Sequence, residues 1–319
     1  MINWGVIGFG RMGKQYADCF KEKSNLFKLK GISSKSNSKN KDFNFYSSYE
    51  ELLNSDEVDA VYISTLNNTH KDLVILANQK NKKILCEKPL GMNFSEVKEL
   101  HSLFKKKKTN FLEAIAYRAH PITSSLFEIL DDQEIGNIKK IESNFGFKVK
   151  KIKKDSRLFN KDLGGGSILD LGCYPISFFN LFNKKNNIKM IKSKFDLCET
   201  GVDIEGEISL KIDDDIDAIG RVSLKENLKN ICTINCEKAT ITLPSPWLPP
   251  NKTYIEVETK SRYFKKIISS QKNVYTYLLE ASSIFFSDKD AKLNFLVNID
   301  ESLKISELID LWKNKEGLN

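Results

Sequence analysis

Lys88 is the residue around which chemistry assembles most readily. It follows the apolar run Ile84-Leu85-Cys86 in the order Glu87-Lys88-Pro89, so an acid and a base meet at the lip of an expected buried strand. The proline keeps Lys88 extended and stops the strand from continuing. An ionisable amine at the carboxyl end of a parallel strand stands where open α/β sheets bind their ligands. By itself, the same residue also reads as a solvated turn lysine paired with Glu87. A second stretch, Gly8-Phe9-Gly10-Arg11-Met12-Gly13, lies between an apolar run over 3–7 and a periodic segment over 12–23. That is the strand, glycine turn and helix order of a dinucleotide fingerprint. Gly8 makes the turn, Gly10 lets backbone approach a pyrophosphate, and Gly13 packs helix on strand. The helix N-terminus then offers free N–H groups to phosphate. Third, Gly164-Gly165-Gly166 precede Ser167-Ile168-Leu169-Asp170-Leu171-Gly172-Cys173-Tyr174. On a helix starting near Ser167, Asp170 and Tyr174 are four apart and share a face. A phenol beside an ammonium has a lowered pKa, and such a couple can pass a proton at a carbonyl or alcohol oxygen while hydride moves to or from a nicotinamide. Alone, the pair is equally an ordinary helix face with a partly buried tyrosine.

These residues need elements to hold them. Expected strands at 3–7, 27–33, 58–63, 84–86 and 110–116 alternate with helices at 12–23, 49–53, 70–80 and from Asn93 or Ser95 to 107. The alternation predicts a doubly wound parallel sheet over residues 1–119. At the end of the second strand, Ser33-Ser34-Lys35-Ser36 replaces the acid that an NAD-preferring domain carries for the ribose hydroxyls. Hydroxyls with a cation suit a 2′-phosphate, so NADP(H) is favoured, with NAD(H) as the alternative; Lys35 equally starts a solvated loop over 37–41. The loop from Ser64 through Thr65, Leu66 and Asn67 to His70 follows the next strand and can reach the cofactor's ribose or nicotinamide. His70 at a helix start is equally a capping or packing residue. From 120 to 319 the rhythm changes: a helix at 122–131, a strand at 138–148, and alternating runs from 188 to 267 that read as a mixed or antiparallel sheet. A proline-rich turn spans 243–250, and helices at 273–286 and 300–313 close the chain.

Composition narrows the class. At 319 residues the chain is long enough for two domains, and 40% hydrophobic with 29% charged residues is ordinary for a globular protein. The charge of +8 comes from 50 basic against 42 acidic residues, and it clusters at Lys105–Lys108 and over 148–154. No nucleic-acid module accompanies it, so a nucleic-acid partner is not expected. The six cysteines form no Cys-x-x-Cys pair and the three histidines no cluster, which suits reduced buried thiols and no metal site. Ile2 opens the first strand, so no leader is expected, and no apolar run approaches the roughly 20 residues of a membrane span. The expected class is a cytoplasmic enzyme.

The chain resembles the family of glucose-fructose oxidoreductase, inositol dehydrogenase and rhizopine catabolism (Gfo/Idh/MocA). The matching stretches are Gly8 to Gly13, Glu87-Lys88-Pro89, Ala114-Ile115-Ala116-Tyr117-Arg118-Ala119-His120-Pro121 and the glycine-triplet stretch to Tyr174, in the family's order and spacing. The resemblance implies a Rossmann domain followed by an α/β domain with an open, largely antiparallel sheet. It implies NAD(P)-dependent oxidation or reduction of a sugar, polyol or related carbonyl compound, and assembly as a dimer or tetramer. Lys88 matches the family's catalytic lysine and Asp170 the acid that helps hold substrate. Tyr174 falls where many sugar dehydrogenases of the family have histidine and where the dihydrodiol dehydrogenase branch has tyrosine. That branch also tends to carry arginine at the position of Arg157. The expected site is therefore Lys88, Tyr174 and Asp170 for the reaction, with Arg118 and His120 lining the substrate side. Phe9, Arg11, Met12, Ser33, Ser34, Lys35, Thr65, Leu66, Asn67, His70, Glu87, Lys88 and Arg157 join the three glycines around the cofactor. A regulator that keeps the dinucleotide fold without the chemistry is the competing reading.

Overall fold

A computed structural model describes residues 1–35, 42–288, 291–292 and 295–314. Ser36 and the loop expected over 37–41 lie outside the described residues. The chain packs as two units: residues 1–119 with 275–303, and residues 120–274 with 304 onward.

The first unit is built on six parallel strands, β1 (Ile2–Ile7), β2 (Phe27–Ser33), β3 (Phe45–Tyr46), β4 (Ala60–Ile63), β5 (Lys83–Glu87) and β6 (Phe111–Ala114), ordered β3-β2-β1-β4-β5-β6. Strands β4 and β6 are buried at every residue, as a sheet with both faces covered requires. The helices of this region are α1 (Arg11–Cys19), α2 (Tyr49–Asn54), α3 (His70–Gln79) and α4 (Phe94–Lys107). Leu73, Val74 and Ala77 of α3 and Val97, Leu100 and Phe104 of α4 join Val61, Ile63, Ile84 and Cys86 in one core. Each large member contributes about 1.5–3 kcal/mol by leaving water. Asn93 is the cap of α4: its side chain accepts from Glu96 N at 3.0 Å, and Glu96 accepts from Met92 N at 2.9 Å. Lysines 105–107 occupy the last turn, where the helix dipole favours cations.

The second unit carries α5 (Pro121–Leu130) and α6 (Cys173–Asn180) against an eight-stranded sheet. Its strands are β7 (Ile138–Gly146), β8 (Ile188–Leu197), β9 (Asp203–Ile212), β10 (Ile216–Ser223), β11 (Ile231–Cys236), β12 (Ala239–Pro244), β13 (Lys252–Thr259) and β14 (Tyr263–Ser269), ordered β14-β13-β12-β11-β7-β10-β9-β8. Only β7 and β10 pair in parallel. Along β9 burial alternates, with Gly206, Ile208, Leu210 and Ile212 inside and Glu207, Ser209 and Lys211 outside. Helices α7 (Val274–Ser287) and α8 (Ile299–Lys313) follow the sheet.

Residues 275–303 were expected with the second domain, yet they pack on the first. The buried Trp4 indole donates to Ser283 Oγ at 3.1 Å and lies 5.7 Å from the Phe286 ring. Glu113 N donates to Val297 O at 2.9 Å, which extends the sheet's edge. Other elements stop early: α1 ends at Cys19 instead of 23, and β6 at Ala114 instead of 116. A 3₁₀ turn over Ala116–Ala119 follows β6, and its Arg118 is drawn into the core. The helix expected from Ser167 opens as a wide π turn over Ile168–Gly172 before α6 begins. Asp170 and Tyr174 therefore straddle a change of helical pitch and do not share one α-helical face.

Candidate active site

The order of the first sheet reverses direction at β1, with β2 on one side and β4 on the other, and ligands of such sheets bind beyond the strand ends there. Gly8 turns the chain at φ +93°, and its N donates to Ser33 O at 2.8 Å. A Cβ on Gly8 would come within 2.9 Å of Ser64 O, and one on Gly13 within 2.1 Å of Gly8 O. Only glycine allows the two loops and α1 to close so tightly. Gly10 differs: a Cβ there would meet nothing within 4 Å, so open space lies over the amino end of α1. That opening, exposed Arg11 beside it and the unpaired first-turn N–H groups fit a pyrophosphate. Met12 is half-buried.

Other residues expected at the cofactor divide into two groups. Ser34 and Thr65 are half-buried, Lys35 and Leu66 are exposed, and Asn67 is buried at the start of a 3₁₀ turn. The Phe9 ring is buried edge-on to Phe43 and Phe45, at 6.0 and 5.4 Å, so its backbone is the part that borders the turn. Ser33 is likewise 1% exposed, with its side chain turned into the protein. His70 is fully buried. Nδ1 lies 2.8 Å from Pro89 O and Nε2 3.3 Å from Thr65 O, so the ring ties the β4 loop to the turn after β5. Burial pushes its pKa down, against the pull of the two carbonyls upward. It braces the site from behind.

The turn that carries Lys88 is anchored on three sides. Before it, the buried Glu87 carboxylate accepts from the Tyr62 hydroxyl, and Tyr62 stacks on Tyr16 at 3.8 Å. Burial, with Glu87's charge adding to it, drives the Tyr62 phenol well above its ordinary pKa, so it stays a donor. After it, Pro89 O meets His70 and Leu90 N donates to Glu113 Oε1 at 3.1 Å. The Lys88–Pro89 peptide is cis. Lys88 itself is half-buried. Tyr275 is half-buried near this cluster, and its pKa is raised by burial and by Glu87 against the lowering pull of Arg11 and Lys88.

Arg118 and His120, expected on the substrate side, are buried and engaged within the protein. Arg118 is 3% exposed; its Nε donates to Phe295 O at 2.6 Å and its Nη2 reaches both Glu301 oxygens at 2.8 and 3.0 Å. His120 caps α5, its Nδ1 accepting from Ile122 N at 3.1 Å. Nδ1 is therefore unprotonated and the hydrogen sits on Nε2. Burial lowers its pKa to about 4.

In the second unit Arg157 Nη1 lies 2.9 Å from Asp170 Oδ1, joining a half-exposed cation to a 5%-exposed acid. Arg157 was expected at the cofactor; here it partners the acid expected at the substrate. Tyr174 is half-buried, edge-on to Phe145 at 5.3 Å. The glycine triplet serves this stretch. Gly166 has φ +116°, and a Cβ on it would come within 2.4 Å of Asp203 Oδ1. Asp203, 4% exposed, accepts from Ser167 Oγ at 2.8 Å and Ile168 N at 2.6 Å, holding the start of the π turn. Sequence reasoning passed over Tyr62, Glu113 and Asp203. A hydroxyl or carboxyl inside an apolar strand is costly to bury unpaired, and that signal was present in Val61-Tyr62-Ile63 and Leu112-Glu113-Ala114. Asp203 left none, because its partners Ile168 and Ser167 lie 35 and 36 residues away in the chain.

The parallel sheet, the glycine turn and an anchored lysine beyond a strand end define a dinucleotide-fold protein with a second, mostly antiparallel unit. Residues 2–114 match the model of the oxidoreductase family with NAD-binding Rossmann fold, and residues 124–242 match the Gfo/Idh/MocA C-terminal domain. The chain belongs to the Gfo/Idh/MocA family of NAD(P)-binding oxidoreductases. It is 33% identical over 219 residues to the trans-1,2-dihydrobenzene-1,2-diol dehydrogenase of Xenopus tropicalis, covering 69% of this chain and 65% of that one. It is 38% identical over 137 residues to an NADP(+) D-xylose 1-dehydrogenase of Haloferax volcanii, covering 43% and 42%. The fold is shared with a 3-ketoreductase from Actinomadura kijaniata, at a TM-score of 0.87 and 19% identity over 98% of this chain and 97% of that one. An aldose-aldose oxidoreductase from Caulobacter crescentus gives a TM-score of 0.85 at 16% identity, over 98% and 96%. Among the described residues no helix is long and apolar enough to cross a membrane.

Proposed function

We propose that the protein is an NADP(H)-preferring oxidoreductase of a sugar, polyol or diol, in which Lys88 and Tyr174 form the proton-transfer couple and Asp170 holds the substrate. The observation that carries this reading is the three-sided anchoring of the Lys88 turn by Tyr62, His70 and Glu113, which a solvated turn lysine would not need. Gly8, Gly10, Arg11 and Gly13 hold the pyrophosphate, while Ser34 and Lys35 meet the 2′-phosphate. The bound nicotinamide supplies the hydride acceptor in oxidation and the donor in reduction. In the oxidative direction the substrate's C–H bond gives up its hydride and its hydroxyl loses a proton to the Tyr174 phenolate. Lys88's ammonium favours that phenolate by its charge. Asp170, oriented by Arg157, accepts a hydrogen bond from a neighbouring substrate hydroxyl. The substrates for which the relatives are named, a dihydrodiol and D-xylose, support the substrate class. Assembly as a homo-oligomer belongs to the same proposal, and sedimentation reads it directly.

The test is NADP(+) reduction at 340 nm with D-xylose and trans-1,2-dihydrobenzene-1,2-diol, on wild type, Lys88→Met and Tyr174→Phe. Removing a positioned acid or base costs about 10² to 10⁴ in rate. Both variants should lose turnover while NADPH binding, read by fluorescence, stays within about twofold, the margin of an exposed contact. Lys88→Met with undiminished kcat would overturn the assignment. Tight NADPH binding with no turnover across sugars and diols would favour the regulator instead.

A further inference from the structure

Glu113 is a buried acid that the reaction just described does not use. It is the third residue of β6, paired with Cys86 of β5, and is 4% exposed. Its backbone N–H is spent on Val297 O at 2.9 Å, so the strand is pinned on both edges. Its carboxyl reaches past the end of β5: Oε1 accepts from Leu90 N at 3.1 Å, two residues beyond Lys88. We propose that Glu113 is a positioning residue that holds the Lys88 turn in place and couples its own ionisation to the Lys88 ammonium, an inference that rests on Lys88 being the catalytic amine.

The charges around Glu113 can be enumerated element by element. From the turn comes the Lys88 ammonium, which favours the ionised acid. From α8 comes Glu301, which disfavours it and is itself engaged by Arg118 of the 3₁₀ turn. Cys86 faces it from β5, with a thiol that burial holds well above its ordinary pKa and therefore neutral. Beyond Cys86, Glu87 is engaged by Tyr62. Burial outweighs the lowering pull of its hydrogen-bonding surroundings and of Lys88, and Glu113's pKa rises to about 7. Its charge therefore changes across the neutral range, directly behind the turn. Electrostatic coupling is reciprocal: if Lys88 helps ionise Glu113, ionised Glu113 must help keep Lys88 protonated. Above pH 7 the ionised Glu113 favours the ammonium; below it that support is withdrawn, and the acceptor for Leu90 N is a neutral acid, a weaker one than the carboxylate.

The experiment reads the amine itself. Lys88 in the full-length protein is labelled with trace acetic anhydride from pH 5 to 11 and quantified by mass spectrometry of its peptide. Wild type should show a main inflexion and a second, smaller one near pH 7. In Glu113→Gln the smaller step should vanish and the main one move down by about one pH unit, the size of a nearby opposite charge. A wild-type curve with a single step overturns the coupling whether or not the variant folds, and so does a variant curve that superimposes on wild type. Turnover with NADP(+) and D-xylose or the dihydrodiol separates the two layers. If Lys88→Met is inactive while Glu113→Gln keeps the wild-type pH profile of kcat, the inference about Glu113 falls alone. If Lys88→Met retains turnover, the reading beneath it falls as well.

Discussion

The guanidinium of Arg157 and the carboxylate of Asp170 form an ion pair at 2.9 Å in which the acid is buried and the cation is half in solvent. Removing the cation takes a charged partner from a buried acid, and a hydrogen bond to a charged group is worth about 1.5–3 kcal/mol. Arg157→Ala should therefore lower stability by that order in urea unfolding and raise the substrate KM. A variant as stable as wild type with unchanged KM would dismiss the pair as incidental.

Gly10 and Gly166 should separate binding from folding. A Cβ at Gly10 points into open space, so Gly10→Ala should fold like wild type and weaken NADPH at least tenfold by occupying the approach to α1. A Cβ at Gly166 collides with Asp203 in a backbone region that side chains avoid. Gly166→Ala should cost more than about 2 kcal/mol, within the range of backbone strain and overpacking. Thermal melts and fluorescence titrations of both variants decide; equal effects in both assays would contradict this division.

Arg118 is expected to behave as part of the core. Truncating one partner of a buried ion pair costs about 3–5 kcal/mol. Arg118→Ala should expose that order of loss in unfolding, and any folded fraction should keep the wild-type KM. A stable variant with a raised KM would return Arg118 to the substrate.

His120 supplies a pH dependence. Its folded pKa of about 4 lies below the ordinary 6.5 of the unfolded chain, so between those values the unfolded state binds more protons. Its contribution is present above pH 6.5 and is lost as pH falls toward 4. His120→Asn, which keeps a cap acceptor, should flatten the melting temperature between pH 4 and 6.5 relative to wild type. Parallel curves for the two proteins would show that His120 does not titrate as the cap geometry requires.

In the proposed function, coenzyme choice is assigned to Ser34 and Lys35 at the end of β2. Ser34→Asp with Lys35→Ala exchanges a phosphate-friendly pair for a ribose-binding acid. The ratio of NADPH to NADH affinity should fall by at least tenfold in fluorescence titrations. An unchanged ratio would move the 2′-phosphate contact elsewhere.

The amino-acid order alone was enough to place the glycine turn between β1 and α1, to put Lys88 at the mouth of β5, and to foresee a parallel unit before an antiparallel one. These are consequences of local chemistry: glycine spacing, a proline stop, and the periods of two and 3.6 residues. The sequence also marked Arg118, His120 and His70 as functional by type. Tertiary packing decided how each of them is engaged, because a guanidinium 183 residues from Glu301 or an imidazole facing Pro89 O takes its partners from distant segments. The same holds for Glu113 and Asp203, whose value lies in groups brought to them from other elements. Even the domain partition was settled this way: residues 275–303 follow the second sheet in the chain, yet Trp4 and β6 bury their apolar and hydrogen-bonding edges against them. Local sequence sets which backbone forms; which polar groups are buried together is a property of distant segments meeting, and only the folded chain brings them there.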